Sequence, residues 1–393
     1  MKPLSVTAFT VTSALGTGLE AHRRALAEAR GGLRPCDFAE VDLDTWIGRV
    51  EGVEAVCLPP SLAAWDCRNN RLAWLGLAQD GLREAVAQAR ARYGAERIGV
   101  FLGTSTSGVE QTEQAYARRD AEGRLPADFD YRRTQNTFSL AAFVLEALEL
   151  AGPAQVVSTA CSSSAKVFAA AARHIEAGLC DAALVGGVDS LCRMTLYGFN
   201  SLQLVSPEPC RPADAGRDGI SIGEAAGFAL LEREGDGRFR LLGCGESSDA
   251  WHMSSPHPEG EGAARAMRAA LDDAGLGPGD IDFLHLHGTA TPANDLAEDR
   301  AACRVFGEAL PCASTKGFTG HTLGAAGILG AVIGLLAIEQ GWMPPSLNTR
   351  SLDPALRGRY VLEPESAPLR RVMVNALGFG GSNASLVLEG DSA

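Results

Sequence analysis

The sequence predicts an α/β fold built from two related halves. Short apolar runs alternate with Ala-rich segments at helical spacing. The apolar runs are near-continuous rather than alternating, as in sheets covered on both faces. The two halves also echo one another. In chain order, Met1-Lys2-Pro3-Leu4-Ser5-Val6 leads straight into a strand-like segment. Residues 69–93 carry a helical pattern, and Gly99–Gly103 (Gly-Val-Phe-Leu-Gly) reads as a strand. The apolar Val156-Val157 pair leads to Cys161, and residues 164–177 read as a helix of small residues. Ala182–Gly187 reads as a strand, residues 262–275 as a helix, Ile281–Leu286 as a strand and residues 324–339 as a helix. The charged, Gly-bearing stretch Glu232–Gly237 is the expected junction, giving an N-terminal half of residues 1–235 and a C-terminal half of residues 236–393. In each half a strand leads into a turn with a reactive side chain and then a small-residue helix. These helices end Glu176-Ala177-Gly178 and Glu339-Gln340-Gly341, which suggests duplication with a site shared between the halves.

Composition narrows the function. Hydrophobic residues make up 46% of the 393 residues, enough for a large core. The net charge of −13 argues against nucleic acid, whose phosphates need a basic face. It would also repel an acidic protein partner unless a local basic patch compensates. The 10 cysteines show no C-x-x-C pair or other zinc-ligand spacing. They read as reduced thiols of a cytoplasmic protein. The longest apolar stretches are broken by Gly or charge, so no membrane span is expected. No Gly-x-Gly-x-x-Gly opens a helix after a strand, which excludes a dinucleotide site.

The chemistry concentrates at Cys161. The run Val156 to Ala165 places one sulfur where a helix begins, and there free N–H groups and the helix dipole favour a thiolate. Small neighbours leave room for a substrate. Far downstream, His287-Gly288-Thr289 and Thr319-Gly320-His321-Thr322-Leu323-Gly324 supply two histidines in Gly-bearing turns. A cysteine with distant histidines is a candidate nucleophile with acid/base partners. His285, two residues before His287 on a strand-like run, is expected to point the other way and to be structural.

Taken together, Thr159-Ala160-Cys161-Ser162-Ser163, His287-Gly288-Thr289-x-Thr291-Pro292-x-Asn294-Asp295, Lys316-x-x-x-Gly320-His321 and Asn375-x-x-Gly378-Phe379-Gly380-Gly381-x-Asn383 resemble, in that order, the β-ketoacyl-[acyl-carrier-protein] synthases of the elongating Cys-His-His type. The resemblance covers nearly the whole chain. It implies a thiolase-like fold with two duplicated halves layered α-β-α-β-α. It makes Cys161 the acyl-carrying nucleophile and His287 and His321 hydrogen-bond donors to the enolate formed when a malonyl thioester loses carbon dioxide. Lys316 becomes an organiser of the site with Glu298 as its partner. The backbone N–H groups of Cys161 and Phe379 become the oxyanion donors, Phe379 a gate over the acyl pocket, and Gly380, Gly381, Asn383, Thr289 and Thr291 supporting residues. No cofactor and no metal are implied.

The implied partners are an acyl carrier protein, docked through Arg68 and Arg71, and a second subunit. That subunit is either a second copy of the chain or a chain-length-factor-like partner, with residues 132–143 near the two-fold axis. The family pattern is broken at two places. Gly330 stands where many relatives have a glutamate, which puts a cation network there in doubt, and Ala376-Leu377 stand where many have Ser-Phe. Segments around Arg68 and Leu191–Gly198 look closer to the ketosynthases of bacterial aryl-polyene clusters. A thiolase would carry a second cysteine near residue 380. A non-catalytic partner subunit would lack Cys161, and a cysteine hydrolase has no use for two histidines plus a lysine.

Overall fold

A computed structural model describes residues 1–38 and 41–391. The first half holds strands β1 (Leu4–Ser13), β2 (Ile98–Gly103), β3 (Ala154–Val157), β4 (Ala182–Asp189) and β5 (Ala225–Glu232). They lie in the order β1-β5-β4-β2-β3. β5 runs antiparallel to β1 and β4, while β4, β2 and β3 are parallel. The second half holds β6 (Phe239–Ser248), β7 (Phe283–His285), β8 (Pro311–Ala313), β9 (Arg371–Gly378) and β10 (Ser382–Gly390). Their order is β6-β10-β9-β7-β8, with the same alternation of senses. Each half therefore repeats one topology, its first strand beside its fifth and its fourth beside its second. Residues 233–238 carry the chain from β5 to β6. The two sheets join where β1 pairs with β6 through Leu4↔Leu241, Ser5↔Arg240 and Val6↔Phe239.

Strand alternation sends side chains to two different cores. On β2 and β4, Phe101, Ala183 and Val185 face a central core between the sheets. Val100, Leu102 and Leu184 face an outer core. That outer core is covered by α1 (Arg68–Leu77), α2 (Leu82–Tyr93) and α3 (Ser139–Leu148). The central core holds α4 (Ser163–Glu176), and α5 (Arg193–Ser201) follows β4. On the second sheet, α6 (Glu261–Ala274) and α7 (Pro292–Phe306) cover the outer face. α8 (Ala326–Gln340) lies in the central layer against α4. The result is the expected α-β-α-β-α stack. The apolar segment Leu323–Gln340 is long enough to cross a membrane, but it is 83% buried here as the central helix.

Most expected elements lie within one or two residues of their observed ends, as end-fraying allows. Residues 69–93 differ, because they form two helices rather than one. The break falls at Asp80 and Gly81, with φ of +53° and +70°. Asp80 accepts from Thr10 Oγ1 at 2.6 Å and from Leu19 N at 3.0 Å. This carboxylate ties the helical layer to β1 and to the helix starting at Gly18. A straight helix would carry it elsewhere.

Glycine is required where the two central helices begin. A Cβ at Gly327 would fall 2.4 Å from Ala165 N, and one at Gly103 would fall 2.4 Å from Ser164 N. Ile328 N donates to Ser164 Oγ at 3.0 Å. The N-terminal turns of α4 and α8 are thus pressed together, one from each half. Gly327→Ala should force them apart and cost about 1–3 kcal/mol by overpacking, read as a lower urea midpoint. An unchanged midpoint would show that the contact is slack.

Candidate active site

Cys161 sits just before α4 on a turn strained at Ala160, whose φ is +52°. Serines hold that turn: Ser163 Oγ donates to Ala160 O at 2.5 Å, and Ser162 Oγ to Thr159 O at 2.9 Å. Cys161 is buried, 4% exposed. Burial pushes the thiol up to about 11, opposed by the nearby Lys316 ammonium and the backbone N–H groups of Phe379 and Cys161. The helix end alone suggested a thiolate, but desolvation outweighs it, and the free sulfur rests as a thiol. The same two N–H groups face the sulfur.

His321 arrives on the turn that leads into α8. Its Nε2 lies 3.0 Å from Cys161 Sγ, while Leu323 N donates to its Nδ1 at 3.3 Å. His321 N donates to Ser221 O at 2.7 Å, which fixes the turn against the first half. His287 follows β7, with its ring centroid 5.1 Å from that of His321 and the rings nearly perpendicular. Lys316 Nζ lies 3.4 Å from His287 Nδ1 and also donates to the His287 carbonyl. Each imidazole thus accepts at Nδ1, which assigns the proton to Nε2. Burial, reinforced by Lys316, holds both rings well below their usual range, so both are neutral. The site presents two neutral N–H donors to one buried sulfur.

Glu298 is 1% exposed and accepts from His287 N at 2.8 Å, Gly288 N at 2.7 Å and Asn375 Nδ2 at 3.0 Å. The expected pairing of Lys316 with Glu298 is therefore indirect. The carboxylate grips the backbone of the His287 turn, Lys316 grips its carbonyl and ring, and charge attraction links them across it. The backbone-binding role of Glu298 and the part played by Asn375 were not foreseen.

His285 does not point away from the site, since residues two apart on a strand share a face. β7 ends at His285, whose Nε2 meets Thr315 Oγ1 at 2.9 Å under Lys316. A Cβ at Gly330 would come within 3.1 Å of His285 Nδ1, so this imidazole occupies the space beside the missing side chain. Cys161, His287 and His321 offer ligand atoms within 4.8 Å of one another. Their hydrogen bonding opposes a cation, because both Nε2 atoms carry protons, both Nδ1 atoms are engaged, and Lys316 adds positive charge.

A cavity of about 250 Å³ opens onto these three side chains and is walled on its apolar side by Phe199, Leu204, Ile220 and Phe379. Phe379 is half-buried and packs on Phe199, with ring centroids 5.6 Å apart. Gly380 and Gly381 take φ of +78° and +73°, which a side chain would disfavour. Asn383 Nδ2 donates to Asp249 Oδ1 at 2.8 Å, which ties this loop to residues 249–257 at the cavity mouth. Thr289 and Thr291 share a hydroxyl hydrogen bond of 2.8 Å on the cavity wall. Phe199 gave no signal in the sequence beyond its place after Gly198.

Arg68 is not a docking residue. Its side chain is 4% exposed and bonds Glu224 at 2.6 Å and also Glu54. Glu224, fully buried, also accepts from Val50 N at 2.9 Å and Leu191 N at 2.8 Å. Helical spacing grouped Arg68 with Arg71, but the ion pair draws Arg68 inward. Arg71 stays partly exposed and forks onto Asp66 at 2.5 and 2.6 Å. Arg68→Ala should cost about 3–5 kcal/mol in urea unfolding by stranding Glu224, and it should weaken carrier-bound and carrier-free substrates alike. A stable variant defective only with the carrier would contradict this placement.

Residues 70–237 match the β-ketoacyl synthase N-terminal domain and residues 239–350 its C-terminal domain. The chain is 35% identical over 335 residues to 3-oxoacyl-[acyl-carrier-protein] synthase 2 of Staphylococcus aureus, covering 78% of this chain and 81% of that one. It superposes with a TM-score of 0.91 and 39% identity on the structure of a ketosynthase (ApeO) in complex with its chain length factor (ApeC) from Xenorhabdus doucetiae, with 98% of each chain covered. The ishigamide ketosynthase/chain length factor structure matches with a TM-score of 0.88 and 30% identity over 99% of each chain. With both domains of the family matched in order over one thiolase-like fold, the chain belongs to the β-ketoacyl synthases, the acyltransferases that condense carrier-bound acyl groups.

Proposed function

We propose that the chain performs decarboxylative condensation with Cys161 as acyl carrier and His287 and His321 as enolate donors. The observation that carries this is the convergence of two buried imidazoles on one buried sulfur, His321 Nε2 at 3.0 Å from it and a ring nitrogen of His287 within 4.8 Å. In the first half-reaction Cys161 attacks an acyl thioester. The new C–S bond replaces the carrier's, and the thiol proton passes to the departing carrier thiol. The backbone N–H groups of Cys161 and Phe379 hold the tetrahedral oxyanion, each worth about 3 kcal/mol in the transition state. In the second, a malonyl thioester loses carbon dioxide, and its electron pair moves onto the thioester oxygen between the two imidazoles. That carbon then attacks the acyl group on Cys161. A C–C bond forms, the C–S bond breaks, and a proton from solvent water restores the Cys161 thiol. Neutral rings suit this step, since each needs only to donate. Lys316 keeps the His287 proton on Nε2.

The partners proposed are an acyl carrier protein and a chain-length-factor-like subunit, in an aryl-polyene or related chain-elongating pathway. The relatives named above with a chain length factor support this, as do the exposed apolar side chains of Tyr116, Tyr131, Phe138, Met194, Tyr197 and Leu202. These come from neighbouring segments, because the helix Val109–Ala117 packs on α5 and Gly108 N donates to Thr134 O, which brings in the segment of Tyr131 and Phe138. Of the expected contact residues 132–143, Phe138 belongs to this exposed apolar set. Leu140, Ala141, Phe143 and Val144 already fill the outer core, leaving Phe138 as the apolar contributor there.

Cys161→Ala should abolish both the acyl-enzyme mass shift and condensation while leaving carbon dioxide release from malonyl carrier. His287→Ala and His321→Ala should acylate within about tenfold of the parent yet lose at least about 100-fold in condensation. Intact-protein mass and product assays read the two steps separately. Elongation by the Cys161 variant, or normal condensation by either histidine variant, would overturn the assignment.

A further inference from the structure

Asp189 ends β4 with its side chain fully buried and no cationic partner within ion-pair distance among the described residues. A lone buried carboxylate is costly unless hydrogen bonds replace its water. Here neutral donors surround it. Oδ1 accepts from Thr104 Oγ1 at 2.7 Å, Ser105 N at 2.7 Å, and Thr106 N and Oγ1 at 3.0 Å. Oδ2 accepts from Ser105 Oγ and, across the boundary between the halves, from Gly324 N at 2.6 Å. Gly324 lies three residues after His321, on the single turn Leu323–Ala325 that leads into α8. The fit there is tight, since a Cβ at Gly324 would fall 2.8 Å from Asp189 Oδ2. The carboxylate therefore binds the loop after β2, the end of β4 and the turn that carries His321 into one unit, and it faces the positive end of the α8 dipole.

We propose that Asp189 is a positioning residue that holds His321 in reach of Cys161. This rests on the role given to His321 above. Asp189 reaches the chemistry only through the turn and through its charge. It faces the Cys161 sulfur electrostatically together with Lys316, and the neutral imidazoles of His287 and His321 complete the ionisable surroundings. Its negative charge opposes formation of the thiolate.

The test compares Asp189→Asn and Gly324→Ala in the full-length enzyme. Asp189→Asn should lose at least about 30-fold in condensation, with acylation of Cys161 by a small acyl thioester within about threefold of the parent. Loss of the anion should also quicken iodoacetamide alkylation of Cys161 at pH 8 by about three- to tenfold. Gly324→Ala displaces the turn and keeps the charge, so condensation should fall with alkylation unchanged. Condensation within threefold of the parent in either variant overturns the proposal. So does a parallel loss of acylation and condensation with alkylation unmoved, which is the mark of a purely structural pin. Should Asp189→Asn fail to fold, Gly324→Ala decides alone. Condensation by Cys161→Ala or His321→Ala would instead sink the catalytic assignment, so the two failures are distinguishable.

Discussion

Everything at the centre of this molecule depends on two helix N-termini meeting in a layer with no room to spare. Gly327 lies against Ala165, and Ile328 N is bonded to Ser164 Oγ. One helix belongs to each half. Cys161 precedes the first and His321 leads into the second, so closing this contact sets the separation of sulfur and imidazole. The duplicated topology explains why it works. Two copies of one sheet-and-helix unit related face to face bring equivalent helix starts together, and each start is a position where backbone N–H groups are free. Glycine at 103, 187 and 327 removes the side chains that would prevent the approach. The reactive residues then diverge in type while the scaffold stays the same.

The second constraint is electrostatic. The reactive sulfur and both imidazoles are buried and kept neutral. Burial raises the thiol and lowers both imidazoles, and the one ammonium, Lys316, works against protonation of either ring. The lysine is depressed by its own burial and supported mainly by Glu298. This suits a reaction whose charge appears transiently. Developing negative charge on a thioester oxygen finds fixed donors that need no reorganisation, and low surrounding dielectric makes each donor count for more than it would in water.

The sequence exposed the chemistry more readily than the architecture around it. Cys161, His287, His321 and Lys316 could be found because the reaction demands those residue types and the backbone turns around them demand small neighbours. The α/β class followed from the apolar runs, since strands buried on both faces cannot alternate. What failed was wherever a polar side chain had a distant partner. Asp80 breaks an otherwise helical run because it is needed by Thr10 and Leu19. Arg68 shares a helical face with Arg71, yet Glu224, 156 residues away in sequence, pulls it inside. His285 was misplaced by a different error, the assignment of strand faces. In the first two cases local periodicity is correct but incomplete, because the deciding interaction spans the layers.

The central claim is that both histidines stand neutral with their protons on Nε2, Nδ1 being engaged by Leu323 N in one and Lys316 in the other. Long-range ¹H–¹⁵N spectra of histidine-labelled enzyme test this directly, with His287→Ala and His321→Ala assigning the signals. The account predicts that both residues show the Nε2–H tautomer and do not titrate between about pH 5.5 and 8, because burial holds them below the ordinary value near 6.5. An imidazolium at pH 7, or an Nδ1–H tautomer at either position, would contradict it.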